Sequence, residues 1–179
     1  MKYCKLGVNI DHVATLRNAR GGSHPNLLRA AKIVKKANAD SITMHLREDR
    51  RHILDHDLFE IKKNVNIPIN LEIAPTEEMI DISLSLQPHA ICFVPERREE
   101  LTTEGGLNIL SCVEIIDKHL RVFNDRQINV ACFIDPDLKQ IKILKQIGIK
   151  YIEFHTGRYA SAINKTDIEL HFQELKKAI

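Results

Sequence analysis

The chain has 179 residues, with 26 lysines and arginines against 24 aspartates and glutamates. This length suits one domain with a sizeable core, and the balanced charge without a long basic tract disfavours nucleic-acid binding. The N-terminus lacks an apolar signal segment, no apolar run approaches the ~18 residues of a membrane span, and the four cysteines lack C-x-x-C spacing. We therefore expect a single domain over residues 1–179, cytoplasmic, with reduced thiols and no membrane or nucleic-acid partner.

Six short apolar runs recur along the chain, and each ends in ionisable or amide-bearing side chains. A stretch with helical periodicity follows each run, which predicts a regular alternation of strands and helices. The predicted strands lie within residues 6–12, 41–47, 67–72, 90–96, 130–135 and 151–155.

Capping residues mark where several of the predicted helices begin and end. The N-terminal signals are Asp55 for the second helix, an acidic first turn at 75–78 for the third, Asp135 with Pro136 for the fifth, and Thr166 with Glu169 for the sixth. Gly148 is expected to end the fifth helix.

Strand parity favours a barrel over an open, doubly wound sheet. Thr43, His45 and Arg47 share one face of the second predicted strand, whereas apolar residues share the other face. An open sheet with helices on both sides would favour apolar residues on both faces, and no G-x-G-x-x-G motif is present. We predict an α/β fold of the (β/α)8 TIM-barrel type, with only six of the eight βα units present in this chain.

The polar ends of the strands supply candidates for acid–base chemistry. Glu72 ends an otherwise apolar strand, where partial desolvation would raise its pKa toward neutrality and suit a general base. A salt bridge to Arg47 or another cation is the alternative interpretation of Glu72. His45 and Arg47 face the same rim, and Asn9 is expected one strand away.

Two further strand ends carry paired candidates. Glu153 and His155 share a face of the sixth strand, and a buried Glu–His pair that only supports the rim is the alternative. Asp11 and His12 are neighbours in sequence, so both reach one ligand only if the chain turns there. The alternative role for Asp11 is capping of that turn.

Arginines and glycines near the strand ends indicate phosphate contacts. The segment 47–52 is rich in cations and follows the second strand at the reactive end. Arg17, and Arg20 beside Gly21 and Gly22, could serve the same purpose. The segment 102–106, with hydroxyls beside paired glycines, suits a lid or a phosphate contact, or is a plain loop.

The residue types that are missing from the strand ends disfavour two classes of enzyme. No lysine ends any of the six predicted strands, which disfavours an aldolase that forms a Schiff base with its own lysine. A metal hydrolase is also disfavoured, because no H-x-H or H-x-x-x-H pair occurs and the rim is rich in arginine. We expect neither a metal nor another cofactor.

Several motifs resemble those of the pyridoxine 5'-phosphate synthase family. They are G-V-N-I-D-H at 7–12, A-T-L-R-N-A-R-G at 14–21, H-L-R-E-D-R-R-H at 45–52, N-L-E at 70–72, V-P-E at 94–96, T-T-E-G-G at 102–106, F-I-D at 133–135 and E-F-H-T-G at 153–157. The resemblance runs through essentially the whole chain. It implies a (β/α) barrel that joins 1-deoxy-D-xylulose 5-phosphate to 3-amino-2-oxopropyl phosphate, giving pyridoxine 5'-phosphate in vitamin B6 biosynthesis.

The resemblance also implies roles for individual residues. His45 and Glu72 correspond to the family's proton acceptors, and Glu153 corresponds to its transition-state stabiliser. The residues implied to bind substrate are Asn9 and Arg20 for the amino-ketone phosphate, and Asp11, His12, Arg47, His52 and Thr102 for the deoxyxylulose phosphate. The family forms homo-oligomers in which an arginine, here Arg20, is lent across a subunit interface.

The family's barrel has two further units, which bring a histidine proton donor and glycine-rich turns that hold a phosphate. We therefore expect the 179-residue sequence to be a fragment of a working enzyme. The alternative is a catalytically silent, phosphosugar-binding or assembly fragment of such a barrel.

Overall fold

The computed structural model describes residues 3–96 and 105–179, and its centre is a sheet of six parallel strands. The strands are β1 (Gly7–Asn9), β2 (Ser41–His45), β3 (Ile69–Ile73), β4 (Ala90–Phe93), β5 (Asn129–Ile134) and β6 (Tyr151–Phe154). They lie in sequential order, and each one pairs in parallel with its neighbour in the chain. The sheet curls into a half-barrel, which confirms the predicted barrel-type α/β fold.

Eight α-helices, besides a 3-10 turn at Ile109–Ser111, lie within the described residues. They are α1 (Asp11–Ala19), α2 (Leu27–Lys36), α3 (Asp55–Asn64), α4 (Glu77–Leu86), α5 (Val113–Asp125), α6 (Leu138–Ile147), α7 (Gly157–Ser161) and α8 (Lys165–Ala178). Helices α1 and α7 were not predicted from the sequence. None of the helices in residues 3–96 and 105–179 is long and apolar enough to cross a membrane.

Helix α6 begins later than predicted, because Asp135 is not its cap. The Asp137 carboxylate accepts a hydrogen bond from the Lys139 N–H at 2.8 Å and is the N-cap. The Asp135 carboxylate instead contacts His155 Nδ1 at 3.0 Å and accepts the Gly106 N–H at 3.2 Å. The prediction was therefore wrong by two residues, since the rim uses Asp135 for another purpose.

Two other predicted caps are also wrong. Helix α3 has Leu54 as its N-cap residue, and the Asp57 carboxylate accepts the Leu54 N–H at 2.9 Å, so Asp55 is already helical. Helix α8 is capped by Asn164 rather than Thr166. Gly148 ends α6 in the left-handed conformation at φ 89°, as predicted.

Strand parity separates the hydrophobic core from the polar rim. Ile42 and Met44 of β2 are fully buried and belong to the core that packs the sheet against the helices. The other face of the sheet carries polar residues, and the strand register sets His45 beside Glu72 there. The predicted division of the two faces is confirmed, and it leaves one face free for chemistry.

Candidate active site

The carboxyl ends of β2, β3 and β4 bring three chemically active side chains into one row. The register pairs His45 with Glu72 and Glu72 with Cys92. His45 Nδ1 lies 4.0 Å from the Glu72 carboxylate, and His45 Nε2 lies 3.0 Å from Glu96 Oε1. Because parallel strands end at the same edge of the sheet, groups far apart in sequence meet at this rim.

Asp11 ties the first strand to the second. Its carboxylate accepts the His45 backbone N–H at 2.8 Å and an Nδ2–H of Asn9 at 2.9 Å. The Asp11 N–H in turn donates to Asn9 Oδ1 at 2.8 Å, which turns the chain out of β1. The turn that the sequence required at Asp11 is present, and it buries the Asp11 carboxylate beside His45.

Glu72 has a strongly perturbed acidity. Burial raises the pKa of its carboxyl to about 8, and the nearby carboxylates of Glu153 and Asp11 act in the same direction. The charges that set this pKa are negative, so the alternative of a salt bridge to Arg47 does not account for Glu72. A carboxyl that titrates near neutrality can both accept and donate protons at physiological pH.

Glu153 faces the same rim from β6. The residue as a whole is exposed on this edge strand, but its carboxyl lies beside the buried Cys92 thiol. Desolvation raises the pKa of the Glu153 carboxyl, while the neighbouring Cys92 thiol acts in the opposite direction. Burial also raises the pKa of Cys92, so this thiol stays protonated and can donate to Glu153.

His155 does not pair with Glu153, which was the structural alternative for these two residues. His155 contacts the Asp135 carboxylate, whose other oxygen holds the Gly106 N–H. A side chain at Gly106 would collide with the backbone of Ile134 and Asp135, so only glycine allows this close approach. The Asp135–His155 pair therefore joins the ends of β5 and β6 to the segment that begins at 105.

A cluster of basic side chains lies next to Asp11. His52 Nδ1 contacts Thr15 Oγ1 at 2.6 Å, and its ring centroid is 5.8 Å from that of His12. Burial lowers the pKa of His52, and the nearby Arg47 charge lowers it further. Arg47 itself is buried and contacts Asp49. The structure thus brings together four of the predicted substrate contacts.

The structure does not place in this cluster three other residues that we predicted as phosphate contacts. Arg17 forms a paired hydrogen bond with the buried Asp57 carboxylate and is a structural residue of α1. Arg20 is exposed at the C-terminal end of α1, and its side chain has no hydrogen-bond or ion-pair partner among the described residues. Thr102 lies outside the described residues.

Glu96 and Cys92 lie at the site, although we assigned neither of them a role from the sequence. Both lie on or just after β4, and Glu96 belongs to the row of polar strand ends from which the rim was predicted. That position was the available signal for Glu96. Cys92 stands among apolar residues of a predicted strand. Such a sequence is compatible with a thiol that faces either the core or the rim, so it gives no signal for Cys92.

Asp11, His45 and Glu72 could also hold a divalent cation. One ligand atom from each lies within 4.8 Å of the others, and carboxylate and imidazole are common ligands of such ions. One oxygen of Asp11 already accepts the His45 N–H, which reduces the donor capacity of the group. The same three groups are arranged for proton transfer without a metal.

Solved structures with a similar fold come from unrelated sequences. A flavocytochrome b2 variant with sulfite bound matches all of this chain and 50% of its own chain, with a TM-score of 0.64 and 10% identity. The YdjI aldolase from Escherichia coli K12 matches 99% of this chain and 63% of its own chain, with a TM-score of 0.59 and 9% identity. At such low identity these likenesses show the fold alone.

Relatives with about 50% sequence identity are named pyridoxine 5'-phosphate synthase. The pyridoxine 5'-phosphate synthase of Idiomarina loihiensis is 51% identical over 178 residues, which cover 99% of this chain and 74% of the relative. The enzyme of the same name from Hydrogenobaculum sp. is 50% identical, over 97% of this chain and 74% of the relative. The family model described as pyridoxal phosphate biosynthesis protein PdxJ matches residues 6–179. The chain therefore belongs to the PdxJ family.

Proposed function

We propose that this chain carries out the reaction of a pyridoxine 5'-phosphate synthase. It joins 1-deoxy-D-xylulose 5-phosphate to 3-amino-2-oxopropyl phosphate and forms pyridoxine 5'-phosphate, with release of inorganic phosphate and water. The observation that carries the proposal is the Glu72–His45 pair, in which burial raises the pKa of Glu72 to about 8 beside an imidazole. Family membership over residues 6–179 supports the same reaction.

The amine that starts the condensation belongs to the substrate, so no enzyme lysine is needed. The amine attacks a ketone carbon, and the resulting carbinolamine loses water to form the imine. The later steps move protons between carbon and oxygen and expel phosphate and water. We assign proton acceptance to His45 and Glu72, and stabilisation of developing charge to Glu153.

The basic cluster of His12, Arg47 and His52, together with Asp11, is our proposed contact surface for the deoxyxylulose phosphate. Arginine suits a phosphate because its fork of N–H donors matches two phosphate oxygens. Thr102 is proposed to add a hydroxyl to the same substrate. The remaining contacts, Asn9 and Arg20, are assigned to the amino-ketone phosphate.

We further propose that the protein acts as a homo-oligomer in the cytoplasm. The exposed Arg20 side chain, which has no partner within residues 3–96 and 105–179, supports a contact across a subunit interface. Both substrates are phosphorylated, and charged phosphate esters do not cross membranes unaided. Light scattering of the purified protein would give the oligomer size.

Turnover of the two substrates tests the proposal. Purified protein given both should form pyridoxine 5'-phosphate and inorganic phosphate in equal amounts, measured by chromatography and a phosphate assay. Glu72→Gln should lower kcat by at least about 100-fold, because the amide cannot accept the proton. Glu114→Gln, an exposed change on α5, is the matched control and should leave kcat unchanged.

Three other outcomes would contradict parts of the proposal. Binding of either substrate by calorimetry without any product would favour the silent phosphosugar-binding alternative. Loss of turnover after dialysis against a chelator, with recovery on adding a divalent ion, would show that Asp11, His45 and Glu72 work through a metal. Normal turnover by Glu72→Gln would remove Glu72 from the mechanism.

A further inference from the structure

Glu96 reaches from the end of β4 across β3 to the end of β2. One carboxylate oxygen contacts His45 Nε2 at 3.0 Å, and the other accepts the Glu48 backbone N–H at 2.9 Å. The Glu96 side chain is only 5% exposed, and that of His45 is 8% exposed. Both oxygens of the buried Glu96 carboxylate therefore contact protein groups.

From this arrangement we propose that Glu96 is a positioning residue that holds His45 in the tautomer with its proton on Nε2. An ionised carboxylate can only accept hydrogen bonds, so the nitrogen that faces it must carry the proton. The neutral imidazole then has its lone pair on Nδ1. That nitrogen is the one that faces Glu72, at 4.0 Å.

The backbone of His45 is held as firmly as its ring. Its N–H donates to Asp11 Oδ1 at 2.8 Å, so the residue is fixed on one side by Asp11 and on the other by Glu96. The Glu48 N–H fixes Glu96 itself and prevents rotation of the carboxylate away from the ring. These contacts keep His45 Nδ1 directed toward the rim.

Glu96 also has a role after proton transfer. When Nδ1 accepts a proton, the imidazole becomes a cation that carries an N–H on both nitrogens. The Glu96 carboxylate lies against this cation and stabilises it, as a buried carboxylate does for the histidine of a catalytic triad. Both Glu96 oxygens already contact protein groups, so we expect its removal to affect the chemical steps more than binding.

The kinetics of Glu96→Gln provide one test of the inference. This test rests on the proposed function, because it measures turnover. The amide is isosteric but neutral, and its NH2 group cannot accept the Glu48 N–H. We expect kcat to fall by about 100-fold, with KM for both substrates within about twofold of the wild-type value. Glu96→Asp keeps the charge and should retain more activity than Glu96→Gln. A kcat for Glu96→Gln within about twofold of wild type would overturn the inference.

The tautomer can be read without any turnover, which separates this inference from the proposed function. The chain has nine histidines. In protein labelled with nitrogen-15 histidine, a long-range proton–nitrogen correlation spectrum distinguishes Nδ1 from Nε2, and His45→Gln assigns the His45 signals. At about pH 8 we expect a protonated Nε2 and an unprotonated Nδ1 in the wild-type protein.

Glu96→Gln should convert the His45 signals into a mixture of both tautomers, whereas Glu114→Gln should leave them unchanged. Thermal unfolding of each variant confirms that the spectra come from folded protein. A wild-type spectrum with the His45 proton on Nδ1 would overturn the inference even if the protein makes pyridoxine 5'-phosphate. The expected spectrum from protein that forms no product would instead refute the proposed function alone.

Discussion

Glu72 carries an energetic cost that follows from its place at the rim. Its side chain is 16% exposed, and burial with two neighbouring carboxylates raises its pKa to about 8. In the unfolded chain the same carboxyl titrates near its ordinary value of ~4.3. Between these two pH values the folded protein binds more protons than the unfolded chain. The free energy of unfolding therefore decreases as the pH rises through this window.

Glu72→Gln should remove this pH dependence and stabilise the protein in alkaline solution. At about pH 9 the wild-type carboxyl is ionised in both states, and the variant should unfold with a free energy higher by up to ~4 kcal/mol. Near about pH 4 the two proteins should be nearly equal, because the carboxyl is then protonated in the folded state and mostly protonated in the unfolded chain. Urea unfolding at both pH values measures the difference. A gap of equal size at the two pH values would contradict the assignment.

Strand parity was sufficient to predict several of the residues at the rim. His45 and Glu72 were found because an alternating strand pattern fixes which side chains share a face. Glu96 and Asp135 follow their strands in irregular segments, where no periodicity fixes the direction of a side chain. Their partners, His45 and His155, are 51 and 20 residues away in sequence, and only the folded chain brings them together.

Helix α1 is the element that holds the loop after β2. Asn18 Nδ2 donates to the backbone oxygens of Arg51 and His52, at 3.2 and 2.8 Å. Arg17 Nη2 donates to the Asp57 carboxylate at 2.8 Å, and the Asp57 side chain is 2% exposed. These contacts fix the backbone on both sides of His52. The position of a proposed substrate contact thus depends on Arg17 and Asn18, in the second half of a helix whose first residue, Asp11, lies at the rim.

Arg17→Met should weaken both folding and substrate binding. The change leaves the buried Asp57 carboxylate without its cation, and loss of one partner of a buried ion pair costs about 3 kcal/mol in unfolding free energy. The loop that carries His52 should loosen, so KM for the deoxyxylulose phosphate should rise more than kcat falls. Urea unfolding and steady-state kinetics measure these effects. Arg29→Met, an exposed change on α2, is the control and should alter neither quantity.

The six strands could be predicted because each is a compact apolar run with a helical pattern after it. Helix α1 could not, because its first two residues, Asp11 and His12, form the polar end of the strand predicted within residues 6–12. The strand ends at Asn9, where the Asn9 side chain accepts the Asp11 N–H and turns the chain into a helix. This local hydrogen bond overrides the extended conformation that the pattern from 6 to 12 indicates.

Across the whole molecule, the core and the rim lie on opposite faces of one sheet. Phe93 of β4 and Phe123 of α5 are fully buried and meet edge to face, with ring centroids 6.3 Å apart. They join the sheet to its outer helices, on the side away from His45 and Glu72. The core side chains and the proposed catalytic side chains therefore lie on opposite faces of the same strands.

Phe123→Ala should destabilise the protein without changing its chemistry. Removal of a fully buried phenylalanine side chain costs about 3–5 kcal/mol. At a temperature where the variant remains folded, kcat and KM should lie within about twofold of the wild-type values. Thermal unfolding and kinetics on one preparation test both statements. Phe59→Ala is the matched control, since Phe59 is 44% exposed and should cost far less. A large fall in kcat for folded Phe123→Ala would show that the core and the rim are coupled.

The sequential order of the strands has a consequence for how the protein is made. Each strand pairs with the strand that precedes it in the chain, from β1 to β6. A ribosome releases the N-terminal units first, so every new strand–helix unit emerges when the surface that it packs against already exists. The strands from β1 to β6 can therefore be added in turn at one edge of the sheet during synthesis.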